Sequence, residues 1–301
     1  MFSWRCPSGL LSIAHLILVW KVCAAHTEAP SFPFYSPDPR YKTKYPYDIF
    51  LTPRLYHDCH EAWENGFHSR GIFALALPKI RDSDKQRWQW TICNNTAEQS
   101  STVILFRVSG KQPFNITFEE YERGFGNVKT DYFVGLKKMK AIADKGVAEL
   151  RIYFADTMDR VHGIVYDRVT LGEAPDYRLH VHTHGRSVGM YAHLGVPDDF
   201  YFHNGSAFRT LDRPDRRPDG VSCAESLKGG WWYLEEESDE FSKHCAFTFL
   251  TGVLNPADRQ LDCRSGARGV YGLCDGVYWL DWTGFLPIRF VSMELVGQPR
   301  K

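Results

Sequence analysis

The chain lacks any excess of positive charge, with Lys and Arg together 36 and Asp and Glu together 36. A general nucleic-acid binder needs such an excess to neutralise phosphates, so that class is excluded. No two cysteines stand two to four residues apart, which removes the close thiolate pair of a zinc ribbon. A Gly-x-Ser-x-Gly elbow, a phosphate-binding glycine loop and a His-Glu-x-x-His pair are all missing, and no enzyme activity is expected. Beyond the first segment no apolar run is long enough to cross about 30 Å of hydrocarbon. Heptads and internal repeats are absent too, so neither a coiled-coil stalk nor a solenoid is expected.

What is present is ordinary globular content, with 44% apolar residues, and aromatics at 15% that exceed a typical core's need. The start has the order of a secretory signal: Arg5, then the apolar run 10–20 (LLSIAHLILVW), then small residues ending at Ala24 and Ala25. We expect residues 1–25 to be removed and the mature protein to be secreted. Of the eight cysteines, Cys6 and Cys23 lie in that segment, leaving six. An even count in an oxidising compartment predicts disulfides, whose connectivity the count leaves open. The simplest arrangement pairs neighbours: Cys59–Cys93, Cys223–Cys245 and Cys263–Cys274. Asn94, Asn115 and Asn204 each begin an N-glycosylation acceptor, which suits the same compartment.

Residues 26–57 are rich in Pro and Tyr and predict an extended, irregular arm. From 58 to 298 the pattern is globular. Strands are expected over 71–77, 88–93, 102–108, 148–154, 161–169, 177–181 and 290–296. Helices are expected over 118–124, capped by Thr117, and over 135–144, where Leu136, Met139 and Ile142 share a face. After about residue 207 loops dominate. The layout predicts an α+β fold: a central twisted, mostly antiparallel sheet, short helices, and a loop-rich C-terminal half stapled by disulfides.

Seven blocks carry a likeness. They are the stretch 118–127 (FEEYERGFGN), 132–136 (YFVGL), Glu149-Leu150-Arg151, and Tyr177-Arg178-Leu179. His203-Asn204-Gly205 with 208–213 (FRTLDR) follows, then Cys223-Ala224 with 230–233 (GWWY), and 275–279 (DGVYW) with Trp282-Thr283-Gly284. In sequence and order they resemble the fibrinogen C-terminal domain family, and the chain is identified as a divergent, techylectin- or ficolin-like member. The resemblance implies a recognition domain for carbohydrates, acetylated groups or protein partners, often with a calcium ion steadying the binding loops.

Two departures bear on that expectation. The family's calcium loop follows the FRTLDR block and carries two aspartates one residue apart. Counting from Asp212 puts Pro214 and Arg216 there, while counting back from Cys223 recovers Asp215 but leaves Arg217. Arginines repel a divalent cation, and Asp215, Asp219 and the Gly220 carbonyl remain for a poorer calcium site. In acetyl-binding relatives a His, an Asn-Leu-Asn-Gly turn and a Tyr follow the second cysteine; Ala246 to Leu254 lack all of these. An aromatic floor from Trp232, Tyr233, His244, Cys245, Phe247 and Phe249 is the expected ligand site, with Trp231 and Trp232 read more readily as core. An acidic run (Glu235, Glu236, Glu237, Asp239, Glu240) and an insertion, 255–273, flank it. His180-Val181-His182-Thr183-His184 could aim three imidazoles one way on a strand, although three solvent-facing histidines are the plainer reading.

The expected function is therefore a secreted lectin-like protein binding glycans or acetylated surface molecules in defence or agglutination. The alternative is an extracellular protein-binding or structural domain that has lost the sugar and calcium sites.

Overall fold

Alternating apolar runs supply the strands of the computed structural model, which describes residues 48–50, 54–78, 88–146, 149–156, 159–189, 192–215, 217, 220, 222–234, 244–254, 263–264, 273–274, 276–283 and 288–297. Eight strands come first: β1 (Asp48–Phe50), β2 (Gly71–Ala76), β3 (Trp88–Cys93), β4 (Ser100–Arg107), β5 (Phe125–Gly126), β6 (Asp131–Phe133), β7 (Glu149–Ala155) and β8 (Val161–Tyr166). Short strands follow: β9 (Val169–Leu171), β10 (Leu179–Val181), β11 (Arg186–Val188), β12 (Phe208–Arg209), β13 (Trp231–Trp232), β14 (Thr248–Phe249), β15 (Cys263–Arg264), β16 (Leu273–Cys274) and β17 (Tyr278–Trp279). The last, β18 (Phe290–Gly297), returns to the middle of the first group.

Ten strands form one sheet along the path β1-β2-β3-β4-β18-β7-β8-β11, with β6 on β4 and β5 on β6. All its pairings are antiparallel except β1 on β2. Asp48–Phe50 lies in the segment expected to be an irregular arm. It forms an edge strand, the one sheet position that nearby proline tolerates. β4 and β8 are buried at every residue, so both faces of the sheet are covered.

Helices sit where their end signals lie. In α1 (Cys59–Glu64) Asp58 accepts from Glu61 N. In α2 (Phe118–Arg123) Thr117 and Glu120 close a capping box, and Glu119 and Arg123 favour the two ends of the dipole. In α3 (Leu136–Ala143) Leu136, Met139, Ile142 and Ala143 form the buried stripe. The Cys59–Cys93 disulfide joins α1 to the end of β3. Tyr56, Ala62, Phe73 and Leu75 pack around it with Phe50 and Phe67.

Between β11 and β18 the regular ladder stops. α4 (Cys223–Leu227), α5 (Leu280–Thr283), a short 3-10 turn (Asp199–His203) and two-residue ladders remain. Here the buried backbone bonds to side chains. Trp232 Nε1 donates to Tyr177 O at 2.8 Å, Trp279 Nε1 to Pro197 O at 2.8 Å, and Thr251 Oγ1 to Gly230 O at 2.7 Å. Arg107, buried at the end of β4, reaches across to Leu250 O and Gly252 O at 3.1 and 2.8 Å. Burial lowers its pKa to about 10.

Candidate functional site

The 3-10 turn 199–203 presents its side chains at a spacing of three. Phe200 and His203 point inward and are fully buried, which leaves Phe202 outward and 50% exposed. Its ring lies on Phe247, with centroids 4.5 Å apart and planes 27° apart. The His244 ring centroid stands 5.2 Å from that of Phe247. The Cys223–Cys245 disulfide ties down the segment that carries both. The result is a surface aromatic patch on a covalently held base.

His203 anchors the base. Its Nδ1 meets Trp232 O at 2.6 Å and its Nε2 meets Thr248 N at 3.0 Å. A backbone N–H can only donate, so Nε2 accepts and Nδ1–H donates to Trp232 O. The ring is thus neutral, and burial lowers its pKa to about 4. Asp199 opens the same turn. Burial raises its pKa to about 7, against a hydrogen bond from Asp281 N and with the charges of Asp281 and Asp198 adding to the rise.

The expected ligand floor does not form an open surface. Trp232, Tyr233, Cys245 and Phe249 are buried, and Trp231 lies beside them. Tyr233 OH donates to Gly229 O at 2.6 Å, and burial raises the phenol's pKa well above its ordinary value. These side chains fill the interior of the loop region because no sheet does so there. Of the expected set, His244 and Phe247 reach the patch, and Phe247 only beneath Phe202. Phe202 itself was not singled out in the sequence. Its signal was the spacing of Phe200 and His203, readable only once a turn is known to be there.

The loop expected to hold calcium has its described carboxylates bonded within the protein. Asp215 accepts from Cys223 N at 2.9 Å, Ala224 N at 3.0 Å and Ser222 Oγ at 3.2 Å, so it caps α4. Asp212 accepts from Phe118 N and Thr210 Oγ1 at 2.9 and 2.8 Å. Arg217 is buried in the loop, its NH1 donating toward His244 O at 3.3 Å and lying 3.5 Å from Cys223 Sγ. A calcium ion wants about six to eight free oxygens. The described residues offer carboxylates already engaged and a guanidinium in their midst, so they do not fit the ion. Among the described residues no group of three metal-ligating side chains occurs. Asp219 and the acidic run 235–240 lie outside the described residues.

The remaining candidates are scattered. His180 is exposed between buried Leu179 and Val181. His182 Nε2 lies 3.1 Å from Thr170 Oγ1, and His184 Nδ1 2.9 Å from Asp198 Oδ2, so these two imidazoles serve separate contacts. The acceptor at Asn94 is corrected: that side chain is buried, and its Nδ2 donates to Glu294 Oε1 at 2.8 Å, leaving no room for a glycan. Asn115 and Asn204 are exposed. Cys263 and Cys274 face each other in the β15–β16 register.

Comparison with known proteins adds a frame. A family profile described as "Fibrinogen beta and gamma chains, C-terminal globular domain" matches residues 55–298. Human angiopoietin-related protein 1 is 32% identical over 197 residues, covering 64% of this chain and 37% of that protein. Chicken tenascin is 27% identical over 254 residues, covering 82% of this chain and 12% of that protein. The chain thus spans well under half the length of these relatives. Among solved structures, the fibrinogen-like globe domain of human ANGPTL2 superposes with a TM-score of 0.61 at 28% identity, over 81% of this chain and 100% of that one.

Proposed function

This chain belongs to the fibrinogen beta and gamma C-terminal globular-domain family, and from that premise we propose that it is a secreted extracellular recognition protein that docks a protein partner on the Phe202–Phe247–His244 patch. The observation behind the reading is the half-exposed Phe202 ring stacked on Phe247. A large exposed aromatic on a rigid base is the usual anchor of a protein interface, and it loses little entropy on binding. The relatives named angiopoietin-related protein and tenascin carry the same globe within longer chains. Secretion is supported by the signal-like start and by two disulfides, Cys59–Cys93 and Cys223–Cys245. No helix among the described residues is long and apolar enough to cross a membrane.

An acetylated sugar is the weaker reading at this place. An acetyl group needs a small slot with polar donors, and Trp232, Tyr233 and Phe249 have closed theirs. The test is binding of biotinylated mature protein to cells of its own tissue by flow cytometry. We expect trypsin treatment of the cells to abolish the Phe202-dependent signal and glycosidase treatment to spare it. Phe202→Ser should weaken binding about tenfold or more with an unchanged melting temperature. Loss of that component to glycosidase alone would restore the sugar reading.

A further inference from the structure

The run His180-Val181-His182-Thr183-His184 has no part in that patch, and the backbone divides it. β10 ends at Val181, but His182 N still donates to Arg168 O at 3.0 Å, one step beyond the Val181–Val169 pair. Alternation therefore holds through His182, and the bend at Thr183 breaks it. Leu179 and Val181 are buried, so His180 and His182 stand together on the outer face, both exposed. His184 leaves the group. Its ring centroid lies 4.0 Å from that of Tyr201, and its Nδ1 2.9 Å from Asp198 Oδ2.

β10 is held along both edges. On one side β9 pairs with it, Leu179 opposite Leu171, His180 opposite Thr170 and Val181 opposite Val169. On the other side Leu179 N donates to Ser206 O at 3.0 Å, Gly205 N to Leu179 O at 2.7 Å, and Val181 N to Asn204 Oδ1 at 2.8 Å. Val169 and Leu171 join Leu179 and Val181 in the core beneath. The backbones of His180 and His182 are thus fixed two strand rises apart, about 6.6–6.8 Å. Two nitrogens at about 2.0 Å from one ion, on adjacent coordination positions, stand about 3 Å apart. Imidazoles that lean together from such positions close that gap.

The electrostatics suit a neutral ligand pair. Partial burial, then the charges of Arg168 and His180, lower the pKa of His182, so the ring is neutral at extracellular pH, the form that binds metal. Its Nε2 lies 3.1 Å from Thr170 Oγ1, which orients the ring. Two arginines border the pair. Arg178 is engaged, its NH1 donating to Gly205 O at 2.7 Å. Arg168, across from His182, is exposed and opposes a cation, an effect that water and salt screen.

We propose that His180 and His182 form an open two-imidazole site for a divalent transition cation, copper(II) above zinc(II), with water in the remaining positions. Imidazole nitrogen suits both ions, and copper(II) stands above zinc(II) in the usual affinity order. Calcium takes oxygen ligands and has no claim on this pair.

The experiment is calorimetric titration of the full secreted chain, without a polyhistidine tag, with copper(II) in glycine buffer and then with zinc(II). The double variant His180→Ala with His182→Ala is the reference. It retains the background of the other histidines, His26 at the expected mature N-terminus among them. One saturable copper(II) site beyond that reference is expected, with zinc(II) bound more weakly. His180→Ala and His182→Ala should each weaken it about tenfold or more, and His184→Ala should leave it unchanged. Arg168→Gln should tighten it about two- to fivefold by removing a repelling charge. Near-UV circular dichroism checks that the variants are folded. Copper(II) binding that does not differ between parent and double variant overturns the proposal. So does a loss with His184→Ala that equals the loss with His180→Ala. Because the Phe202 patch shares no residue with the histidine pair, either site can fail without the other.

Discussion

The sheet and the region after residue 199 bury similar side chains but satisfy their backbones differently. β18 pairs with β4 on one side and β7 on the other through seven-residue registers. Each ladder bond there is one of many. Between residue 199 and β18 the described ladders are two residues long, and His203, Trp232, Thr251 and Trp279 bond the backbone instead. Stability is distributed in the first region and concentrated in single side chains in the second. The same economy of ladders leaves turns free to point a residue such as Phe202 outward.

The largest test of this contrast is a pair of core truncations. Leu105→Ala on β4 removes packing alone, at a cost of about 2–5 kcal/mol. Trp232→Ala removes more packing, about 3–5 kcal/mol, and also strands the Tyr177 carbonyl for about 1–3 kcal/mol more. Urea unfolding should rank Trp232→Ala clearly worse. Equal costs would mean that the two regions are held alike.

Next comes the staple of the loop region. Cys223 and Cys245 are 22 residues apart, so removing both as alanines should cost about 3 kcal/mol. It should also abolish binding at the Phe202 patch while leaving the sheet folded. Loss of the sheet's far-UV circular dichroism as well would show that the regions unfold as one.

The pH response separates two buried groups on one turn. His203 is held at about 4, below the ordinary value of about 6.5. The unfolded chain therefore takes up a proton that the fold refuses, and stability falls as pH drops from about 6.5 to about 4. Asp199 is held at about 7, above the ordinary value of about 3.9. Its contribution is present at low pH and lost as pH rises through about 7. Asp199→Asn can still accept from Asp281 N, so it should gain roughly 1–2 kcal/mol over the parent at pH 8 and little at pH 5. A gain independent of pH, read from melting temperatures, would refute the assignment.

The smallest effect is expected from chelation. With Arg217 in the loop and Asp215 on α4, adding calcium or EDTA should move the melting temperature by less than about 1 °C. Arg217→Met should lower it by several times that. A calcium-dependent rise would mean that residues 218–219 complete a site after all.

Legibility in the sequence tracked regularity. The runs WQWTIC and FVSMELV became β3 and β18 with ends within a residue, because period-two patterning is local. Thr117 announced α2 by its own capping chemistry. α1 and α4 were not read, being only six and five residues long, although Asp58 and Ser222 cap them from the adjoining position. Of the expected ligand floor, Trp232, Tyr233, Cys245 and Phe249 are buried. Nothing in GWWY distinguishes an aromatic that lines a slot from one that fills it. Asn94 failed for the same reason: Asn94-Asn95-Thr96 is an acceptor by pattern, and only Glu294, 200 positions away, makes it a buried donor.

The sequence by itself determined the family resemblance, the longer strands of the main sheet and the compartment expected for the chain, since each rests on neighbours along the backbone. Only the tertiary structure decided that Trp232 and Tyr233 are core, that Arg217 lies in the calcium loop, and that Phe202 and Trp88 face outward. Those outcomes depend on which atoms far apart in sequence compete for one volume or one hydrogen bond, and side-chain burial is settled by that competition rather than by local pattern.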